Sequence, residues 1–308
     1  MSHYNILVLE GGGAKGPYEM GVLERLEEKA QQRIPHFIDL VVSTSVGSVL
    51  GSLICTDTRP AAEWSKIILD ELPSFFTKRG CMSIPLYDKQ NYAKCFEKYV
   101  RSPYYMAELP LMFMVTSVDR CQPRTHYFKS WEEKDGQIPV VEATMRSFSA
   151  PYFFGATIDE VGSKVWLDGG MGADNLPLTE AYIETLLQGW LGVGNTANIL
   201  AIGSGRKDEY VPFDQAKKSN IFSQTLDQFK SFVNITEGGL ARTLSSLEQV
   251  RSMIAITKAT PNLSFQFIDW PNIPDNLDKM DDVDDRMIYY KKGLEDGENI
   301  DIIPFKVC

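Results

Sequence analysis

Tyr4-Asn5-Ile6-Leu7-Val8-Leu9-Glu10-Gly11-Gly12-Gly13-Ala14-Lys15-Gly16-Pro17 is the stretch on which the rest of the chain depends. Residues 4–9 form a short apolar run ended by a glycine cluster, which predicts a buried strand. Pro17 suits the first turn of a helix. In that helix Met20, Leu23, Leu26 and Ala30 share one face, with Glu24, Arg25, Glu27 and Glu28 on the other. Residues 38–42 read as the next strand and residues 46–54 as a helix rich in small side chains. Strand, helix, strand, helix implies a parallel sheet covered on both faces.

Working outward, residues 111–118 read as a strongly apolar strand, with 125–129 its neighbour across a turn. Residues 164–167, 198–202 and 263–268 read as further strands. Residues 178–188 and 240–256 have helical periodicity. A last helix is expected with Val283, Met287, Tyr290 and Leu294 on one face. The fold class expected is α/β, a three-layer α/β/α arrangement around a mostly parallel central sheet. No internal repeat or linker divides the chain, so a single domain is expected over residues 1–308. Its motif-bearing core spans 4–206, with a helical and strand extension over 207–308. Residues 71–87 read as irregular; a packed connector is the plainer reading, and a lid or lipid-contacting loop the other.

The chain has 308 residues, 44% hydrophobic and 23% charged, with a formal net charge of −10. That balance speaks against nucleic acid, which needs a basic face. Anionic lipid would also repel the chain on average, so membrane contact would need exposed apolar groups, a local basic patch or a partner. The polar start and the lack of a signal-like or membrane-spanning apolar run predict a cytoplasmic protein; export without a cleavable signal would look the same. The five cysteines, Cys55, Cys81, Cys95, Cys121 and Cys308, are scattered and read as reduced thiols. With three histidines and no C-x-x-C pair, a zinc site is not expected.

Three motifs carry the chemistry. Gly11 to Gly16 satisfies G-x-G-x-x-G between a strand and a helix, the context of a dinucleotide site. However, the second strand ends in Ser43-Thr44-Ser45 rather than an acid, and Asp39 stands at its beginning. What remains is general: glycines expose backbone N–H groups and the following helix adds its positive end, which favours an anion such as an oxyanion. Lys15 either assists that anion or is simply solvated. Ser43-Thr44-Ser45-Val46-Gly47 is close to the G-x-S-x-G nucleophile elbow, with Ser43 in place of the first glycine. Val46 offers a backbone N–H beside the elbow serine. Asp168-Gly169-Gly170 ends a short strand with a carboxylate and two crowding-free residues. No histidine follows Asp168, and His3, His36 and His126 are poorly placed in sequence to serve Ser45, so Asp168 is the better candidate base. A turn residue before two glycines is the structural alternative.

Together these motifs resemble the patatin-like phospholipase family, as do Thr116-Ser117-Val118-Asp119, Ser149-Ala150-Pro151-Tyr152-Phe153, Ile202-Gly203-Ser204-Gly205 and Met280-Asp281-Asp282. The resemblance implies a patatin-like fold and a Ser-Asp dyad, with Ser45 as nucleophile and Asp168 as base. Gly11, Gly12 and Gly13 would form the oxyanion hole, supported by Lys15, Gly16, Ser43, Val46, Gly47, Gly169 and Gly170. It implies hydrolysis of acyl esters of phospholipids or lysophospholipids through an acyl-enzyme, with peripheral membrane contact and no metal or organic cofactor. An activator is a further partner to look for, of a kind the residues do not identify. The acidic run 278–285 lacks EF-hand spacing and reads as a solvated helix start. Two other readings stay open: a non-catalytic binding protein of this fold with a distorted elbow, and a dinucleotide-binding oxidoreductase.

Overall fold

In the computed structural model, which describes residues 2–80, 83–100, 104–122, 124–172, 174–206, 240–274, 276–277 and 280–305, one sheet of eight strands organises the chain. The strands are β1 (His3–Leu9), β2 (Leu40–Ser43), β3 (Met112–Asp119), β4 (Arg124–Lys129), β5 (Thr157–Asp159), β6 (Lys164–Asp168), β7 (Thr196–Ile202) and β8 (Leu263–Ile268). They follow the path β5-β6-β3-β2-β1-β7-β8, with β4 also paired to β3. The centre, β3-β2-β1-β7-β8, is parallel. The flank built from β4, β5 and β6 is antiparallel.

Among the described residues the helices are α1 (Gly16–Ala30), α2 (Val46–Ile54), α3 (Ala61–Phe75), α4 (Gln90–Tyr99), α5 (Glu133–Gly136), α6 (Val140–Ser147), α7 (Leu178–Leu187), α8 (Leu240–Ala259) and α9 (Arg286–Gly297). The strand period of two sends side chains alternately to two cores. Leu7, Leu9, Val41, Phe113 and Val115 join α1, α2, α3, α4 and α6 on one face. Ile6, Val8, Leu40, Val42 and Met114 join α7 and α8 on the other. Ile6 to Leu9 are therefore wholly buried, and the first strand reads as a continuous apolar run.

Several expectations need correction. The second strand starts at Leu40, two residues late, because Asp39 turns inward and accepts the Asn5 N–H at 2.7 Å. Residues 71–75 complete α3 rather than belonging to an irregular stretch. The helices α3 and α4 were not anticipated, although Trp64, Ile68, Leu72 and Phe75 mark the buried side of α3. The buried face of α9 is Tyr289, Gly293 and Gly297, offset from the expected one, of which Met287 is exposed while Val283, Tyr290 and Leu294 are half-buried. Glycine explains the error: a Cβ on Gly293 would lie 2.0 Å from the Tyr18 carbonyl oxygen, and one on Gly21 2.3 Å from that of Tyr290. Hydrophobicity does not mark a helix face made by the absence of side chains. Residues 278 and 279 of the acidic run, Cys81 and Cys308 lie outside the described residues; Cys55, Cys95 and Cys121 are free thiols.

One register positions the site. On β3, Val115 pairs with Ser43 on one edge and Phe128 on the other, while Ser117 pairs with Asp168 and with His126. Strand β4 occupies one edge throughout. Strands β2 and β6 therefore share the opposite edge and meet end to end, with only Thr116 between their last partners.

Candidate active site

At the end of β2 the chain turns sharply into α2. Ser45, at the turn, has φ 51° and ψ −121°. L residues seldom adopt this region, and strain of this kind collects at functional turns. Gly47 has no alternative: an added Cβ would lie 2.7 Å from the Glu10 carbonyl oxygen and 2.8 Å from that of Leu9. Position 43 is less restrictive. Ser43 is fully buried on the strand and directs its hydroxyl toward the Met114 carbonyl, 3.4 Å away.

Ser45 Oγ donates to Asp168 Oδ2 at 2.8 Å. The second carboxylate oxygen, Oδ1, accepts the Gly170 N–H at 2.8 Å. The Asp168 N–H donates to the Ser149 carbonyl at 3.1 Å, and the carboxylate is nearly buried. Gly169 is required, since a Cβ there would lie 2.2 Å from Thr116 Oγ1. The three histidines are employed elsewhere. His3 bonds Thr196 and Asn5, and His36 bonds Asp57. His126 lies across β3 from Asp168, against Phe128 and Trp166.

The glycine loop lies beside this pair. A Cβ on Gly11 would approach Ser45 Cβ to 3.0 Å, and Gly13 has φ +60°. Gly11 donates its N–H to the Asn175 carbonyl at 3.1 Å, and Ala14 donates to Met280 at 2.8 Å. Among the described residues the Gly12, Gly13 and Val46 N–H groups have no hydrogen-bond partner. Gly16 lets α1 start against Val46, whose Cγ2 would lie 2.6 Å from an added Cβ. Lys15 is neither solvated nor turned to the cavity: it is 1% exposed and donates through Nζ to the Gly205 carbonyl at 3.0 Å. Asp39 sits at the far end of β2 from the glycine loop, since Ile6 pairs with Leu40 and Leu9 with Ser43. An acid there cannot reach a nucleotide whose phosphates occupy that loop.

Ser45, Asp168, Gly11 and Gly13 line a cavity of about 110 Å³. Its remaining wall is largely apolar: Phe76, Tyr152, Phe153, Phe154, Met171 and Met280. A largely apolar wall beside a serine–carboxylate pair suits an ester whose acyl portion is hydrophobic.

Sequence reasoning missed the residues behind the motifs. Ser147 Oγ accepts the Ser45 N–H at 2.9 Å. Glu10 is buried behind the glycine loop; its carboxylate accepts from Asn175 Nδ2 at 3.1 Å, Ser246 Oγ at 2.7 Å and the Ser204 N–H at 3.0 Å. Only the position of Glu10, immediately before three glycines, gave a signal.

Comparison with known proteins gives a consistent result. The chain matches the signature described as Patatin-like phospholipase over residues 7–182. It is 23% identical over 188 residues to a cGAMP-activated phospholipase of Escherichia coli, covering 55% of this chain and 52% of that protein. It is 27% identical over 219 residues to a cGAMP-activated phospholipase of Pseudomonas aeruginosa, covering 63% and 64%. The chain thus spans about half to two thirds of the length of these curated relatives. Among solved structures it resembles VipD from Legionella pneumophila, with a TM-score of 0.50 at 11% identity, covering 97% of this chain and 66% of that one.

Proposed function

Since the chain belongs to the patatin-like phospholipase family, we propose that it is a lipid acyl hydrolase that uses Ser45 as nucleophile and Asp168 as base on phospholipids or lysophospholipids. The observation that carries this reading is the 2.8 Å hydrogen bond from Ser45 Oγ to Asp168 Oδ2, made on a strained turn that faces the cavity.

The steps follow from the geometry. Asp168 accepts the Ser45 proton as Oγ attacks the ester carbonyl carbon. The carbonyl π electrons move onto oxygen, and the Gly12, Gly13 and Val46 N–H groups are the donors proposed for that oxyanion, with the positive end of α2 beneath them. Gly11, whose N–H is engaged by Asn175, contributes close approach instead. Collapse expels the alcohol portion of the lipid, which takes the proton from Asp168. Water then attacks the acyl-enzyme, with Asp168 again accepting a proton, and the fatty acid leaves as Ser45 regains its hydrogen. No step calls for a metal or organic cofactor.

Two further parts complete the proposal. Relatives named as cGAMP-activated phospholipases, together with the aromatic residues that wall the Ser45 cavity, support an enzyme that awaits an activator before that wall parts. No helix among the described residues is long and apolar enough to cross a membrane; the proposed contact is peripheral, from the cytoplasmic side.

The test is fatty-acid release from mixed phospholipid and lysophospholipid vesicles, with and without a cyclic dinucleotide. Ser45→Ala and Asp168→Asn are expected to lower kcat by at least about 10³-fold while remaining folded. Undiminished release by folded Ser45→Ala would remove the mechanism. A wild type that neither hydrolyses lipid nor reacts at Ser45 with a fluorophosphonate would favour the non-catalytic reading.

A further inference from the structure

We propose that Lys78, Arg79 and Ile84, on a segment joined by backbone hydrogen bonds to the wall of the Ser45 cavity, form the surface that seats this chain on an anionic phospholipid bilayer; the proposal rests on the lipid-hydrolase reading above. These residues are tied to the cavity wall by backbone. Lys78 forms an antiparallel bridge with Tyr87, and Arg79 donates its N–H to the Leu86 carbonyl at 2.9 Å. Leu86 and Tyr87 donate in turn to the carbonyls of Tyr152 and Phe153, at 3.1 and 2.8 Å. Tyr152 and Phe153 line the cavity. The Tyr87 and Phe153 rings stack at 6.2 Å, and Pro85 packs against Gly155. An interaction at residues 78–79 or 84 is therefore only a strand's width or two from the acyl site.

A single exposed isoleucine is unremarkable on a protein surface. Ile84, at 74% exposure, differs because an exposed basic pair stands on the neighbouring segment and both are joined to the cavity wall through Leu86 and Tyr87. Neither Lys78 nor Arg79 makes an ion pair among the described residues. Of the nearby carboxylates, Asp88 accepts the Gln90 N–H at 3.0 Å and Asp281 the Tyr87 hydroxyl at 2.7 Å, so each is held by a donor other than Lys78 or Arg79. Leu187 and Val193 are comparably exposed, but Leu187 ends α7 and Val193 follows it, on the other layer of the sheet. In a chain of net charge −10, attraction to anionic lipid must be local. An apolar tip with two cations behind it provides that combination, since the side chain can enter the headgroup region while the cations meet lipid phosphates and carboxylates.

The experiment is flotation of Ser45→Ala protein with vesicles of phosphatidylcholine alone or mixed with phosphatidylserine. Lys78→Glu/Arg79→Glu is expected to weaken binding to the mixed vesicles about 30-fold or more and to flatten its salt dependence. Ile84→Asp is expected to weaken binding to both vesicle types about tenfold. With Ser45 restored, each variant should hydrolyse a soluble short-chain ester at the wild-type rate, because none of the three residues lines the cavity. If charge reversal perturbs the fold, Lys78→Gln/Arg79→Gln provides the same test. Variants that float as well as their parent, or a parent that floats with neither vesicle, would overturn the proposal. Failure of the hydrolase reading is separate: it would appear as absent ester hydrolysis in the wild type, whatever the flotation shows.

Discussion

Lys89 illustrates how a residue outside the motifs holds the site. Its ammonium group donates to Thr157 Oγ1 at 2.7 Å, the Ala156 carbonyl at 2.9 Å, the Gly155 carbonyl at 3.1 Å and Ser149 Oγ at 3.2 Å. It thereby pins both ends of the segment whose aromatic residues line the cavity. Burial lowers its pKa from the ordinary 10.5 to about 8, and the nearby Asp88 charge offsets this only in part. Between about pH 8 and 10.5 the unfolded chain therefore holds the extra proton, so this group adds stability as pH rises through that window. Wild type minus Lys89→Met should show that positive slope in urea midpoints measured from pH 7 to 10, and a flat difference would refute the assignment. At this scale Ser45 and Asp168 were legible as candidates that the fold brings within 2.8 Å, because each sits in a short motif with a chemical reason for every neighbour. Glu10 and Lys89 were not, because Ser204, Ser246 and Thr157 reach them only through folding.

At the scale of elements, the site is a junction where two strand ends share one edge of β3. The strand–helix alternation in the first 54 residues made β1, α1, β2 and α2 readable, and α2 begins and ends where expected. The end-to-end meeting of β2 and β6 was not readable, since neither strand's sequence encodes its register on β3. The junction also explains the serine at position 43. Its side chain lies on the buried strand, whereas position 47 faces the backbone of residues 9 and 10. Ser43→Gly should cost about 0.5–1 kcal/mol of stability and leave kcat within about twofold. Gly47→Ala should cost about 1–3 kcal/mol and lower kcat sharply, because carbonyls of the first strand must move. Chemical denaturation and ester turnover read both, and equal effects of the two substitutions would sink this account of the elbow.

For the molecule as a whole, helix α9 holds α1 from outside. Gly21 and Gly293 allow the two backbones to touch, Tyr18 donates its hydroxyl to Asp296 at 3.0 Å, and Met280 accepts the Ala14 N–H at 2.8 Å. Gly293→Ala should destabilise by about 2 kcal/mol or more, read as a lowered denaturation midpoint. Loss of Ser45 labelling by a fluorophosphonate at denaturant concentrations the wild type tolerates would accompany it. The clamp also has a consequence for biosynthesis. Ribosomes add about 5–20 residues per second, so roughly 15–60 s separate the emergence of the glycine loop from that of the helix that completes its support. During that interval a nascent chain carries the Ser45 turn without the finished cradle, so the proposed activity is expected to arise only once α9 has been made.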